Sequence, residues 1–525
     1  MAKMRGHFAA AAMPPPSLSN EPPPGRAAAG SPSGLIADRS SGKPLFRQLY
    51  EGLSEAIRAG QFAPGARLPS TRAMARDLAV SRNTVHLAFE QLIAEGFLAG
   101  KQGAGTYVAG ALPGGLLRAA RRASAGRVQP ARNRPISART AKLLRLYPQE
   151  PWPRGGSLPF RVTPALDHFP RKIWQRSLVR SWREGGDALL DYGWASGKLR
   201  QVIVEYLAAA RGVRCTADQV IVVAGAQQGI DLAIRVAVEP GEAAWIEDPG
   251  YPTAHGALVG AGAVPVPVPV DEEGLDVNAG IRRAPAAGLA YVTPSHQSPL
   301  GVTMSLRRRL ELLEWARQAS AWILEDDYCS EYRYAGRPLA ALQGLDRDER
   351  VIYLGTFSKV LFPSLRLAYL VVPPDLREAF LATRFFASRH APRLEQAALA
   401  SFIADGHFVR HIRRMRALYA RRQQALVLAA RRDLKGLLEV EPSPAGMHLL
   451  GWLPAGCDDA AVSRRAAAEN LDVAPLSAYA IERSLPPGLI LGYSGFNERA
   501  IRSGVRRLAG VLRAGSFRVV EQDRA

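Results

Sequence analysis

From Leu45 the chain sets Leu45, Leu49, Leu53 and Ile57 four residues apart, the spacing that gathers apolar side chains on one face of a helix. The run Gln61-Phe62-Ala63-Pro64-Gly65-Ala66-Arg67-Leu68-Pro69 then breaks the pattern with two helix-limiting prolines and predicts a turn. A helix of about ten residues should follow from Ser70, where Ser70 and Thr71 offer N-caps. After the short turn Ala79-Val80-Ser81 a second helix begins, with Val85, Leu87, Ala88, Leu92 and Ile93 as its predicted buried positions. Two helices joined so tightly predict a helix-turn-helix. Gly96 to Val108 reads as two short strands around a glycine-rich tip, a wing able to approach a minor groove or a phosphate.

Further along, the period changes. Strand-like runs near Val220, Ala244, Leu289, Ala321, Val351 and Ala368 alternate with helical stretches, which predicts an α/β domain: a mostly parallel sheet with helices on both faces. A smaller C-terminal subdomain is expected from about Pro392. Arg410 to Lys435 alternates arginines with Ile412, Met415, Leu418, Leu426 and Leu428, a long amphipathic helix whose basic outer face reads as solvated. The expected organisation is therefore a disordered tail over residues 1–42, a winged helix-turn-helix over 43–108, a basic flexible linker over 109–159 and the larger domain over 160–515.

Composition sharpens this outline. The 525 residues suffice for two cores. Sixty-eight Lys and Arg against 47 Asp and Glu give a formal charge of +21, which favours phosphate backbones in a salt-dependent way. Cys215, Cys329 and Cys457 form no CxxC pair and no metal-ligand spacing, arguing for a reducing cytoplasm and against disulfides or zinc. The apolar stretch from Phe8 to Met13 is too short for a signal peptide or a spanning helix, so no membrane partner is expected.

The candidate chemistry falls in two places. At the start of the second helix, Ser81, Arg82, Asn83 and Thr84 stand where such motifs meet base edges and phosphates; arginine pairs with guanine and asparagine with adenine. Downstream, Lys359 follows a strand and lies among Thr356, Ser358 and Arg366, as a Schiff-base lysine for pyridoxal phosphate would. Asp326, at the end of an apolar strand, can hold a pyridine nitrogen protonated, and Tyr328 can donate to the ring oxygen. Tyr251 offers a stacking ring, and Ala224-Gly225-Ala226-Gln227-Gln228 opens a helix with free backbone N–H groups for a phosphate. Each has a plainer alternative: a surface lysine at a turn, helix capping by the acidic pair, a tight strand-to-helix turn, a core tyrosine.

The order and spacing of these segments resemble fold-type I aminotransferases, and more closely the MocR-type transcription regulators of the GntR family. The resemblance covers roughly residues 43–108 and 160–510. It is carried by Asp191 to Arg200 (DYGWASGKLR), the GAQQ turn, Glu247 to Tyr251 (EDPGY), Tyr291 to Gly301 (YVTPSHQSPLG), Leu324 to Tyr332 (LEDDYCSEY), the lysine motif and Leu489 to Gly495 (LILGYSG). It implies Lys359 as the internal aldimine, Asp326 on the pyridine nitrogen, Tyr328 on the ring oxygen and Tyr251 stacked on the ring. Ala226 and Gln227 would reach the phosphate through their backbone, with Arg366, Thr356 and Ser358 closing the cup. Gln297 and Ser298 stand where aminotransferases usually place an asparagine near the ring oxygen, which makes Gln297 a further cofactor candidate. In the winged helix it implies DNA contacts by Arg72, Ser81, Arg82, Asn83, Thr84, His86 and Gly103.

One departure bears on activity. Leu489 to Gly495 lacks the late-strand arginine with which aminotransferases bind a substrate α-carboxylate, and neither Thr253 nor Ala478 replaces it; Arg389 or Arg393 would have to serve instead. The expectation is a cytoplasmic, homodimeric, head-to-tail regulator that binds operator DNA and senses a small amine or amino acid through external aldimine formation, without net turnover. The alternatives are a working aminotransferase with a DNA-binding appendage, a DNA-binding protein whose larger domain serves only for dimerisation, and a regulator of vitamin B6 synthesis that senses the cofactor itself.

Overall fold

Leu49, Leu53 and Ile57 bury one face of α1 (Leu45–Arg58) against the helix-turn-helix, which consists of α2 (Thr71–Asp77) and α3 (Arg82–Ala94). Both of these helices start on a serine cap. Ser70 accepts from the N–H of Ala73 at 3.2 Å, and Ser81 from that of Thr84 at 3.0 Å. The strands β1 (Leu98–Lys101) and β2 (Gly105–Val108) pair antiparallel with Leu98 opposite Val108 and form the wing. In α3 the buried stripe is Val85, Ala88, Phe89 and Leu92. Leu87 and Ile93, expected inside, are 44% and 41% exposed because they fall off this i, i+3, i+4, i+7 stripe, and Phe89 fills the core in their place.

This computed structural model describes residues 38–101, 105–110, 135–147, 158–193, 196–336 and 339–514. The chain divides between Arg134 and Pro135 into two compact units. The tail before Asp38 and most of the expected linker lie outside the described residues.

The second unit contains helices α4 (Ala138–Leu146), α5 (Arg171–Gly185), α6 (Gly197–Arg211), α7 (Ala226–Ala237), α8 (Pro252–Ala261), α9 (Val277–Arg283) and α10 (Leu306–Ala319). They surround an eight-stranded sheet of β3 (Val220–Val223), β4 (Ala243–Asp248), β5 (Val264–Asp271), β6 (Gly274–Leu275), β7 (Leu289–Val292), β8 (Trp322–Asp327), β9 (Val351–Thr356) and β10 (Ala368–Val371), in the order β3-β10-β9-β8-β7-β4-β5-β6. The run β9-β8-β7-β4-β5 is parallel. β10 is antiparallel to both its neighbours, and β6 to β5. Every strand expected from the sequence is present, and β5 and β6 are added: the alternating Val-Pro run of β5 keeps its valine N–H groups toward β4, so that its prolines face only the two-residue β6.

Part of the expected flexible linker is a helix. α4 is capped by Ser137, which accepts from the Thr140 N–H at 3.1 Å, and it packs on α8, where Leu143 lies against Gly260. An amphipathic turn with a partner surface holds a fold that its basic, Gly- and Pro-rich surroundings disguise.

The C-terminal part continues with α11 (Arg377–Ser388), α12 (Arg393–Ala404), α13 (His407–Asp433), β11 (Glu439–Val440), β12 (His448–Trp452), α14 (Asp459–Ala468), β13 (Ala474–Pro475), β14 (Gly488–Gly492) and α15 (Glu498–Ala514). Its four strands form a small sheet in the order β11-β12-β14-β13. The subdomain begins later than Pro392. Ala398, Leu399 and Phe402 of α12 pack in the core of α5 and α6, and the 27-residue α13 passes from that core at Phe408 and Ile412 to the small-sheet core at Met415, Leu418 and Leu426.

Candidate functional site

β8 ends in three consecutive carboxylates, and the two-residue period of a strand sends them to opposite faces. Glu325 accepts from the backbone N–H of Leu342 at 2.8 Å and of Gln343 at 2.9 Å, capping the one-turn helix Leu342–Leu345. Asp327 pairs with Arg211 Nε at 2.7 Å and accepts from the Tyr353 hydroxyl at 2.7 Å, all of it buried. Asp326 points the other way. Its Oδ2 accepts from the Tyr291 hydroxyl at 2.7 Å, while its buried Oδ1 has no partner. Burial pushes this carboxyl up to about 7, with the Tyr291 hydrogen bond and Lys359 pulling it down and Asp327 adding to the rise. Helix capping at this strand end thus falls to Glu325 and leaves Asp326 free.

Lys359 follows β9 and is partly buried, its Nζ 3.5 Å from the Val162 carbonyl. Burial holds its ammonium below the ordinary lysine range, against the pull of Cys329 and Asp326, which excludes the plain surface lysine. The buried hydroxyl of Tyr328 has no hydrogen-bond partner. Thr356 Oγ1 accepts from the Ser358 N–H at 3.2 Å, which folds the two hydroxyl residues into one turn beside the lysine.

α7 begins at Gly225, whose φ of +99° suits glycine. A Cβ there would stand 3.0 Å from the guanidinium carbon of Arg366, and Arg366 itself donates to the Ala224 carbonyl at 3.1 Å. The guanidinium therefore lies across the start of α7, where the N–H groups of Ala226 and Gln227 precede the first intrahelical bond. The Gln227 side chain is committed to the Thr253 carbonyl at 3.0 Å. Tyr251 caps α8. Burial raises its hydroxyl, Thr253 opposes that shift, and both Asp326 and Arg366 act on it electrostatically.

Gln297 is used differently from its expected role. Its Nε2 donates to Glu247 at 3.2 Å, the Pro249 carbonyl at 2.8 Å and the Ser298 carbonyl at 2.9 Å, and its Oε1 accepts from the Leu300 N–H at 3.0 Å. Those bonds occupy both amide hydrogens and one side of the amide oxygen, and make Gln297 a brace between the EDPGY and SHQSPLG loops. Arg389 stacks over the rings of Tyr192 and Phe385, and Arg393 donates to the Asp191 carbonyl. Tyr291, Arg211 and Tyr353 were not singled out by the sequence. The register that sets Tyr291 opposite Leu324 is what brings it to Asp326.

In the first unit Arg72, Arg82, Asn83 and His86 are exposed along the two helices. Ser81 and Thr84 share a 2.8 Å hydrogen bond, so Ser81 is engaged as the cap; His86 lies 3.3 Å from Glu90. Gly103 lies outside the described residues.

The sequence profile of the aminotransferases of class I and II matches residues 188–485, and that of the bacterial regulatory proteins of the gntR family matches residues 45–108. The chain is 42% identical over 487 residues to the probable rhizopine catabolism regulatory protein MocR of Rhizobium meliloti, an alignment covering 91% of this chain and 96% of that protein. The chain belongs to the MocR-type regulators of the GntR family. Another of its MocR-type relatives is the HTH-type pyridoxine biosynthesis transcriptional regulator PdxR of Corynebacterium glutamicum, 30% identical over 89% of this chain and 96% of that one. The kynurenine aminotransferase of Pyrococcus horikoshii, solved with PMP, is 26% identical with a TM-score of 0.63, covering 75% of this chain and 98% of that chain. As a MocR-type protein the chain is a DNA-binding transcription regulator whose larger unit has the pyridoxal-phosphate aminotransferase fold. Among the described residues no helix is long and apolar enough to cross a membrane.

Proposed function

We propose that the larger unit holds pyridoxal 5′-phosphate at Lys359 and reads a small amine or amino acid there, and that this occupancy sets operator binding by the winged helix. The supporting observation is one constellation: a desolvated lysine amine, an Asp326 oxygen and a Tyr328 hydroxyl that are buried without partners, and a guanidinium laid across a glycine-opened helix start. Those groups fit the cofactor's edge. Asp326 would face the pyridine nitrogen, Tyr328 the ring oxygen and Tyr251 the ring, with the N–H groups of Ala226 and Gln227, Arg366, Thr356 and Ser358 around the phosphate. When bound, pyridoxal phosphate supplies an electrophilic carbon that a primary amine engages covalently and reversibly.

The residues of this chain set the terms. Desolvation shifts Lys359 toward the neutral, nucleophilic amine. Asp326, charged when opposite a protonated ring nitrogen, holds that proton, and Tyr291 steadies the carboxylate. Arg72, Arg82, Asn83, Thr84 and His86 would meet DNA, with Ser81 setting the helix start and Gly103 in the wing. A ligand that binds one arrangement of the dimer better than another shifts operator affinity by that difference. The dimer would be head-to-tail and the protein cytoplasmic, with the DNA-reading domain over 43–108 and the effector domain over 160–515.

The absence of an arginine in Leu489 to Gly495 favours sensing over efficient transamination. Similarity to PdxR favours a second reading, in which the cofactor itself is the signal.

The test is spectroscopic. Purified protein supplemented with cofactor should absorb in the visible and form a borohydride-stable adduct on Lys359, and Lys359→Ala should do neither. Operator affinity titrated with amines at fixed cofactor should change for the amine reading; a response to cofactor alone selects the second. An unchanged spectrum in Lys359→Ala would overturn both.

A further inference from the structure

α13 and α15 lie side by side, joined through Met415, Leu418 and Leu426 of one and Ile501, Val505 and Leu508 of the other. Their outer faces are basic. α13 carries eight arginines and one carboxylate, Asp433; α15 carries five arginines and one carboxylate, Glu498. Two helices thus hold a net +11 of the chain's +21. Of the thirteen arginines only Arg422 is buried.

Several surface arginines of this unit are matched to acids: Arg307 to Glu273 and Glu311, Arg317 to Glu314, Arg235 to Asp231, Arg283 to Glu482 and, on α13 itself, Arg431 to Glu441. On the paired helices Arg413, Arg421, Arg499, Arg502 and Arg507 are exposed and make no ion pair or hydrogen bond among the described residues. Asp433 is crowded by Arg432 at 2.7 Å and by Arg506 and Arg513. One carboxylate serves three guanidinium groups.

Clustered cations repel one another, and in a folded surface that cost persists unless a polyanion relieves it. We propose that this arginine face is a second nucleic-acid contact, which holds the phosphate backbone of duplex flanking the element read by the winged helix. α13, at about 40 Å, is about as long as twelve base pairs of duplex. Exposed guanidinium groups on the outside of packed helices reach phosphates and enter no groove, so the contact adds affinity without reading sequence. Duplex is the favoured polyanion because the same chain already carries a DNA-reading domain, which raises the local concentration of phosphates for the second contact. The inference rests on the DNA-binding domain alone and is independent of what Lys359 does.

The test compares the full chain with Arg413→Gln/Arg421→Gln/Arg499→Gln/Arg502→Gln/Arg507→Gln on 20- and 60-base-pair duplexes of arbitrary sequence, by fluorescence anisotropy at several salt concentrations, the lengths being set by the about twelve base pairs that α13 spans. The wild-type chain should bind the longer duplex more tightly, beyond the statistical gain in sites, and with a steeper salt dependence. The five-fold variant should lose that length advantage and up to about four units of salt slope, near 0.9 per phosphate contact, while its affinity for the short duplex stays unchanged. The matching five-fold lysine variant should retain most of the advantage. A control with Arg235, Arg307 and Arg317 changed to Gln should behave as wild type. Retention of length advantage and slope by the glutamine variant overturns the proposal. So does an equal loss on both duplexes, or a loss confined to binding of anionic phospholipid vesicles.

Discussion

The Tyr291 hydroxyl donates a 2.7 Å hydrogen bond to Oδ2 of Asp326, from the strand next to it in the sheet, and it is that carboxylate's hydrogen-bond partner in the described structure. Tyr291→Phe would leave both oxygens of a buried carboxylate unpaired, which costs about 1–3 kcal/mol and raises the carboxyl further above its value of about 7. At pH 7.5 cofactor affinity should fall roughly ten-fold, read by titrating pyridoxal phosphate into the cofactor-free protein. Unaltered affinity would remove Tyr291 from any part in holding Asp326.

Gly225 makes a selective prediction. Gly225→Ala forces an alanine to φ +99° and sets a methyl 3.0 Å from the Arg366 guanidinium carbon, displacing the group laid across the start of α7. Affinity for pyridoxal phosphate should drop, whereas binding of pyridoxal, which lacks the phosphate, should change little. Equal losses for both compounds would mean that the cradle does not hold the phosphate.

The Arg211–Asp327 pair is buried on both sides, with side-chain exposures of 5% and 1%. Arg211→Ala leaves an unpaired buried carboxylate and should cost about 3–5 kcal/mol in urea unfolding. Arg211→Met combined with Asp327→Asn should recover part of that loss, since the stranded charge is gone. A single variant as stable as the parent would contradict the reading of this pair as a mutually dependent unit.

The cofactor-free protein should lose stability as the solution turns alkaline. Burial pushes Glu247, Glu325, Asp326 and Glu331 up to about 7, so between the ordinary carboxylate range of about 4 and pH 7 the folded chain keeps protons that the unfolded chain has released. That contribution is complete at low pH and is lost as pH rises through 7. His296, pushed by burial down to about 3, and His411, down to about 4, act in the opposite sense below about 6.5 and cancel part of the effect there. Between pH 6.5 and 8 the carboxylates outweigh what remains of the opposite histidine effect, and the net loss is about 2 kcal/mol. Thermal unfolding should therefore be lower at pH 8 than at pH 6.5, with a shallower slope in Glu325→Gln; a rise across this window would refute the assignment.

Much of the site is legible in the sequence because its pieces are short, ordered and tied to strand ends: Lys359 after β9, Asp326 at the tip of β8, Gly225 between β3 and α7. Side-chain direction is not legible there. Gln297 reads as a ring-oxygen partner until its amide is seen bonded to Glu247, Pro249 and Ser298, and Tyr291 gains its role only from the register of β7 on β8. Propensity misleads at β5, where alternating prolines argue against a strand that tolerates them because its far side is nearly unpaired. Composition misleads at α4, whose nine residues are too few to stand out from a Gly- and Arg-rich stretch. Leu87 and Ile93 show that hydrophobicity alone does not select the inward stripe of a helix.

Tyr251, the candidate stacking ring, immediately precedes α8, and near the helix's other end Gly260 receives Leu143 of α4. Ten residues of α-helix make a strut of about 15 Å that neither stretches nor bends appreciably over so short a span. A tilt of the tyrosine end of α8 would therefore be felt at Leu143 of α4. Within the larger unit, the candidate stacking ring and the seat of α4 are thus the two ends of one stiff body.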